Sequence, residues 1–173
     1  MSDSNPTTDD KPFVISRTFN ASLDTLWKTW TTKERLAAWF GPTGVTIPHC
    51  ELDLRPGGVF HYCMRLPDGL EMWGKWTFIE IVPQEKLVFL VTFSDAQGGV
   101  TRHPMSETWP LQMHSIITFE GVEEDKSKLT IEWTSYNATD AERATFNGGH
   151  NEMKVGWTGT LDQLTSYLGR EEG

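Results

Sequence analysis

HNEMKVGWTGTLDQLTSYL, residues 150–168, places Met153, Trp157, Leu161, Leu164 and Leu168 on one side of a helix, with Tyr167 near its end. Such a stripe needs an apolar surface to lie on, and the residues before it supply strands. FVISRTFNA at 13–21 is β-rich, and five further segments, Val45–Leu54, Val59–Leu66, Leu70–Val82, Lys86–Ser94 and Leu111–Gly121, alternate or cluster β-branched and aromatic residues between turn signals. Lys128–Tyr136 follows across EEDKS. Strands this close in sequence pair antiparallel through short hairpins, which predicts one meander of about seven strands. A curved sheet must cover its apolar face, and the long C-terminal helix is the element available to do so. A helix is only about 10–12 Å across with its side chains, so it leaves a gap over a strongly curved sheet. That gap is the candidate site.

Two short helices interrupt the order after the first strand. Asn20 and Ser22 are capping candidates for LDTLWKTW, in which Leu23, Leu26, Trp27 and Trp30 repeat at i, i+3, i+4 and i+7. Thr31 or Thr32 can cap KERLAAWF, which buries Leu36, Trp39 and Phe40 and stops at Gly41-Pro42. Residues 1–12, acidic and hydroxyl-rich with Pro6 and Pro12, show no apolar period and are expected to form a flexible tail. The expected organisation is therefore a single α+β domain over 13–169.

Composition narrows the function classes. The 173 residues carry 15 Lys and Arg against 24 Asp and Glu, a net charge of −9, with no basic cluster longer than two. Nucleic acid and anionic membrane surfaces are poor partners for such a chain. The longest apolar run, Leu87–Val91, is far shorter than the ~18 residues of a membrane span, and the opening MSDSNPTTDD does not read as a signal sequence. A cytoplasmic protein is expected. Eight Trp and nine Phe are more aromatic surface than a tight core of this size needs, which permits a cavity.

The strand and two short helices, DLRPGG at 53–58, EIVPQEKLVF at 80–89, and a terminal helix with Gly156-Trp157 and LDQLTSYL together resemble the SRPBCC, or START-like, superfamily. The narrower resemblance is to the branch related to the C-terminal domain of the activator of heat shock protein 90 ATPase. It covers about Phe13 to Leu168. The resemblance implies the helix-grip fold, also called birch-pollen-allergen-like. It further implies binding of an apolar small molecule, or service as a protein-interaction domain, more than catalysis. The stretch FSDAQGGVTRHPMSETWPLQM at 93–113 is similar to a bacterial subgroup of that branch.

Alternation puts Phe60, Tyr62 and Met64 on one face of their strand, then Phe89, Val91 and Phe93, then Ser115, Ile117 and Phe119, then Leu129, Ile131 and Trp133. These face the long helix, whose Met153, Trp157 and Leu161 form the opposing wall. Tyr62 and any cavity-side Trp N–H can hold a polar end of a ligand. The long connection at 94–110 reads either as a lid carrying Arg102, His103 and Trp109, or as a surface flap pinned by Trp109 with Arg102 paired to Asp95.

Other chemistry finds less support. A turn centred on Pro56-Gly57 sets Cys50 opposite Cys63, His61 opposite Leu52 and His49 opposite Met64, so the two histidines face opposite ways. No metal is expected, since neither HxH nor paired CxxC spacing occurs. A Cys50–Cys63 disulfide is geometrically conceivable in this register, but reduced thiols are the expectation in a cytoplasmic chain. Asp53 and Arg55 are expected to pair across their turn. No nucleophile elbow or phosphate loop is present, and no cofactor is implied.

The expected function is thus reversible binding of a small hydrophobic or aromatic molecule, without catalysis. The alternative is a co-chaperone-like interaction module acting through an apolar surface or as a homodimer. A third reading is a cavity hydrolase or cyclase using Tyr62, Glu51 or His49, which share a face with Phe60 in the expected register.

Overall fold

The computed structural model describes residues 11–41, 44–103 and 106–172, with backbone alone over 170–172. Residues 1–10 of the expected tail lie outside the described residues, as do Pro42 and Pro104. The order is β1 (Phe13–Phe19), α1 (Leu23–Thr31), α2 (Lys33–Trp39), β2 (Thr46–Leu52), β3 (Val59–Arg65), β4 (Glu71–Val82), β5 (Lys86–Ser94), β6 (Val100–Thr101), β7 (Gln112–Glu123), β8 (Lys126–Tyr136), α3 (Asp140–Gly148) and α4 (His150–Glu172). This is the α+β helix-grip architecture expected, with two additions. β6 is a two-residue strand inside the long connection, pairing Phe93 with Thr101 and Ser94 with Val100. Helix α3 was not expected, although Thr139 and Glu142 form a reciprocal capping box at its start.

All pairings are antiparallel, and the sheet runs β1-β8-β7-β5-β4-β3-β2 with β6 beside the end of β5. Direct partners share a face, so the register carries one row across the sheet: Phe60 opposite Trp76, Trp76 opposite Val91, and Val91 opposite Met113. A parallel row joins Phe78, Phe89, Ser115, Trp133 and Phe13. These rows form the concave side. Helix α4 lies over it with Leu161 and Leu164 fully buried, each worth about 1.5–3 kcal/mol of apolar transfer. Helix α1 starts where the Ser22 side chain accepts the Thr25 N–H. Its Trp30 enters the core nearly parallel to Trp76 and Trp157, at ring-centre distances of 6.1 and 6.3 Å.

The first hairpin departs from the expected register by one residue. Cys50 faces Tyr62, Glu51 faces His61, Leu52 faces Phe60 and His49 faces Cys63. The connection is not a symmetric two-residue turn. The Gly58 N–H bonds the Arg55 carbonyl with Gly57 at φ +85°, a type II turn with Pro56 at its second position, and the Asp53 N–H closes on Val59. Because a one-residue slip exchanges faces, three expectations are corrected. Cys50 and Cys63 point to opposite sides of the sheet rather than facing each other, which leaves both as the free thiols expected. His49 and His61 share a side, packing on either side of Trp73 at 5.5 and 4.9 Å. Glu51 and His49 lie on the other side from Tyr62 and Phe60, so that acid–base group is not assembled.

Candidate functional site

A cavity of ≈ 290 Å³ lies between α4 and the sheet. Helix α4 contributes Met153, Gly156, Trp157 and Thr160 on successive turns of one side. The sheet contributes Tyr62 and Met64 from β3, Met72, Trp73, Gly74 and Trp76 from β4, Val91, Thr92 and Phe93 from β5, Met113 from β7 and Trp133 from β8. Phe40 closes one side, and His103 and Trp109 arrive from the connection between β6 and β7. An engineered apolar cavity of ~150 Å³ holds benzene, so this space suits a bicyclic or short branched apolar molecule. Five of the eight Trp and four of the six Met line it.

Tyr62 is positioned by its neighbour on β4. It pairs with Gly74, and a Cβ there would lie 2.5 Å from the phenol oxygen, so only glycine lets the ring lie across the strand. The ring stacks on Phe60 at 4.8 Å and meets Phe40 edge-on at 5.2 Å. Burial pushes the phenol pKa far above its usual value, opposed in smaller part by the neighbouring Trp76 indole, so it stays neutral at pH 7. His103 packs edge-on against Phe93 at 4.8 Å, and burial lowers its imidazole pKa from 6.5, leaving it neutral at pH 7. Trp109 Nε1 and Trp133 Nε1 are buried without a hydrogen-bond partner, as is Thr92 Oγ1.

Among the wall residues expected from sequence, Tyr62, Met64, Val91, Phe93, Trp133, Met153 and Trp157 meet at the cavity. Phe60, Phe89, Ile117, Phe119 and Leu161 share the same sides of their elements but are packed in the core instead. Phe89, for example, stacks on Trp76 at 4.2 Å. In the connection, His103 and Trp109 reach the cavity while Arg102 does not. Arg102 pairs with Glu142 of α3, and Asp95 instead caps its own turn by accepting the Gln97 and Gly99 N–H groups at 2.9 and 2.8 Å. The expected Arg102–Asp95 pair is therefore replaced by a tie between the connection and α3. The backbone N–H of Thr139 and the Arg102 guanidinium hold the Glu142 carboxyl below its usual pKa.

Several lining residues had a readable signal that the strand-by-strand reading did not use. Met113 continues the alternation of Ser115 and Ile117, and Gly156 and Thr160 follow Met153 at i+3 and i+7. Gly74 and Trp76 follow from pairing β4 to β3 across the turn at Asp68-Gly69. Met72 follows in the same way, two residues before Gly74 and opposite Met64, whereas Phe40, Trp73 and Thr92 carry no such mark. Elsewhere, Arg55 Nε donates to Asp53 Oδ2 at 2.8 Å, the turn pair expected. Among the described residues no three His, Cys, Asp or Glu side chains gather as a metal would need, and no helix is long and apolar enough to cross a membrane.

The family described as Activator of Hsp90 ATPase homolog 1-like protein matches residues 20–169. No curated protein matches the chain. Among solved structures, a protein from Nitrosomonas europaea is similar at 24% identity, with 93% of this chain and 96% of that one covered and a TM-score of 0.71. A protein from Arthrobacter aurescens is 23% identical over 92% of this chain and 86% of its own, with a TM-score of 0.70. The AHSA1 protein from Silicibacter pomeroyi is 17% identical over 93% and 99%, with a TM-score of 0.72. At these identities the likeness speaks for the fold.

Proposed function

The chain belongs to the Activator of Hsp90 ATPase homolog 1-like family, and from that premise we propose that it reversibly binds a small hydrophobic or aromatic molecule between its sheet and α4. The observation that carries this reading is the cavity of ≈ 290 Å³, walled by Tyr62, Trp76, Trp109, Trp133 and Trp157 at the place where one helix fails to fill the sheet. Four methionines in the same wall support it, because their flexible thioethers adapt to a guest. An interaction module would favour aromatic side chains on the surface, yet Tyr136 is the one aromatic among the exposed large apolar residues described. Binding rather than catalysis is supported by the separation of His49 and Glu51 from Tyr62 across the sheet. A cytoplasmic setting is supported by two buried cysteines left as thiols.

Native mass spectrometry of the protein purified from its own source, followed by denaturing extraction, tests the reading. A reproducible bound species of small mass, lost in Trp157→Ala, is the expected result. A clean apo mass together with a co-purifying protein or a dominant dimer overturns it in favour of the interaction module.

A further inference from the structure

Resting on the binding reading above, we propose that the guest is a neutral molecule with an apolar, aromatic-sized body and one hydrogen-bond-accepting oxygen of the carbonyl type, received by the indole N–H groups of Trp109 and Trp133. Both side chains line the cavity, and both N–H groups are buried with no acceptor. An indole N–H can only donate, so its complement is an acceptor and not another donor. Leaving such a group buried and unmatched costs stability, and a ligand oxygen removes that cost on binding. Trp133 is fixed for this role by its β8 position opposite Ser115 and Phe13, and by an edge-on contact with Trp157 at 5.6 Å. Trp109 is fixed by packing on Phe146 of α3, and by the Arg102 guanidinium, which donates to its carbonyl at 3.3 Å while pairing with Glu142.

Charge decides between neutral and anionic guests. No Lys, Arg, Asp or Glu lines the cavity among the described residues. Arg102, the cation nearest in sequence to Trp109, is committed to Glu142. His103, the titratable ring in the wall, is neutral at pH 7 because burial lowers its pKa. A carboxylate would enter this space with dipoles but without a countercharge, which is costly in a low-dielectric site. A ketone, ester, amide or aldehyde carries the acceptor without that penalty.

A matched set of probes tests the inference by calorimetric titration of the full chain: 2-acetylnaphthalene, its near-isosteric hydrocarbon analogue 2-isopropenylnaphthalene, and 2-naphthoate. The ketone is expected to bind about tenfold tighter than the hydrocarbon, the scale of one to two net hydrogen bonds, and naphthoate the weakest of the three. In Trp109→Phe and Trp133→Phe the ratio of hydrocarbon to ketone dissociation constants falls toward one, while the hydrocarbon still binds. Taking the ratio within each variant cancels changes in cavity shape or fold stability. Equal or tighter hydrocarbon binding by the wild type overturns the inference and leaves the binding reading standing. So does a ratio unchanged in both variants, or naphthoate binding tightest. If none of the three probes binds, the cavity-binding reading fails and this inference fails with it.

Discussion

Gly156 separates a cavity kept open for a guest from a core that is merely underfilled. It lines the cavity from the second turn of α4, and a Cβ at this position meets no atom within 4 Å. Alanine is more favourable than glycine inside a helix by about 0.8–1.0 kcal/mol. A methyl group that meets no wall atom adds no packing of its own, so Gly156→Ala is expected to stabilise the protein by the helix preference alone, about 0.8–1.0 kcal/mol, or roughly 2–4 °C in Tm for a chain of this size. Gly156→Leu places an isobutyl group into the ≈ 290 Å³ space and gains part of the ~1.5–3 kcal/mol of a buried leucine. It should be at least as stable as the alanine variant, and its affinity for 2-isopropenylnaphthalene should fall by about tenfold or more, since the isobutyl group takes volume the guest needs and overpacking costs about 1–3 kcal/mol. Urea unfolding and calorimetric titration of the two variants read both quantities. A leucine variant that is stable and still binds the probe with wild-type affinity would place the guest elsewhere. A leucine variant destabilised by more than about 1 kcal/mol, the scale of overpacking, would show that the space is not there to fill.

Two further perturbations follow from the geometry around the cavity. Gly74→Ala puts a methyl group 2.5 Å from the Tyr62 oxygen, so it should destabilise by about 1–3 kcal/mol and weaken guest binding together; circular dichroism melts and titration check this, and a neutral melt would contradict the packing described. Glu142→Gln keeps an acceptor for the Thr139 N–H but removes the charge that Arg102 meets, a loss of about 1 kcal/mol at pH 7 given that the guanidinium is half exposed. Because the folded carboxyl titrates below its usual 4.5, that contribution is complete above pH 4.5 and disappears as pH falls through the lowered value. The wild-type and Gln stabilities should therefore converge on acidification, and an equal gap by urea unfolding at neutral and acid pH would refute the assignment.

Which face each strand shows the helix could be read from alternation alone, because the side-chain period of a strand is two and one face is buried. Tyr62, Val91 and Trp133 reach the cavity for that reason. How deep along the helix each residue sits could not be read, and depth separates Tyr62 from Phe60 on one strand and Val91 from Phe89 on another. It depends on where α1 and α2 push Trp30, Trp39 and Phe40 against the sheet, a tertiary contact that local pattern does not encode. The hairpin at RPGG failed differently. Two glycines and a proline mark a turn but allow more than one closure, and the type II geometry with Asp53 bonded to Val59 shifted every partner by one. Helix α3 was the readable omission, since Thr139 with Glu142 three residues on is a start signal that the long terminal helix overshadowed.

The distribution of tryptophan explains why the aromatic surplus did not simply fill the interior. Trp30 and Trp39 are buried where α1 and α2 cover the sheet, in contact with each other at 5.0 Å. Trp76 links the two regions, stacking on Phe89 while still forming part of the cavity wall. Beyond it the rings of Trp109, Trp133 and Trp157 stand around space rather than in it, and Met64, Met72, Met113 and Met153 lie between them. Rigid rings hold a cavity open because collapsing it would force them from their rotamers, whereas methionines can move to meet an occupant at little cost. A wall of this kind selects its guest loosely by shape and more sharply by polarity. The Trp109 and Trp133 N–H groups are then the features that discriminate, and guests differing only in hydrocarbon outline should bind with similar affinity.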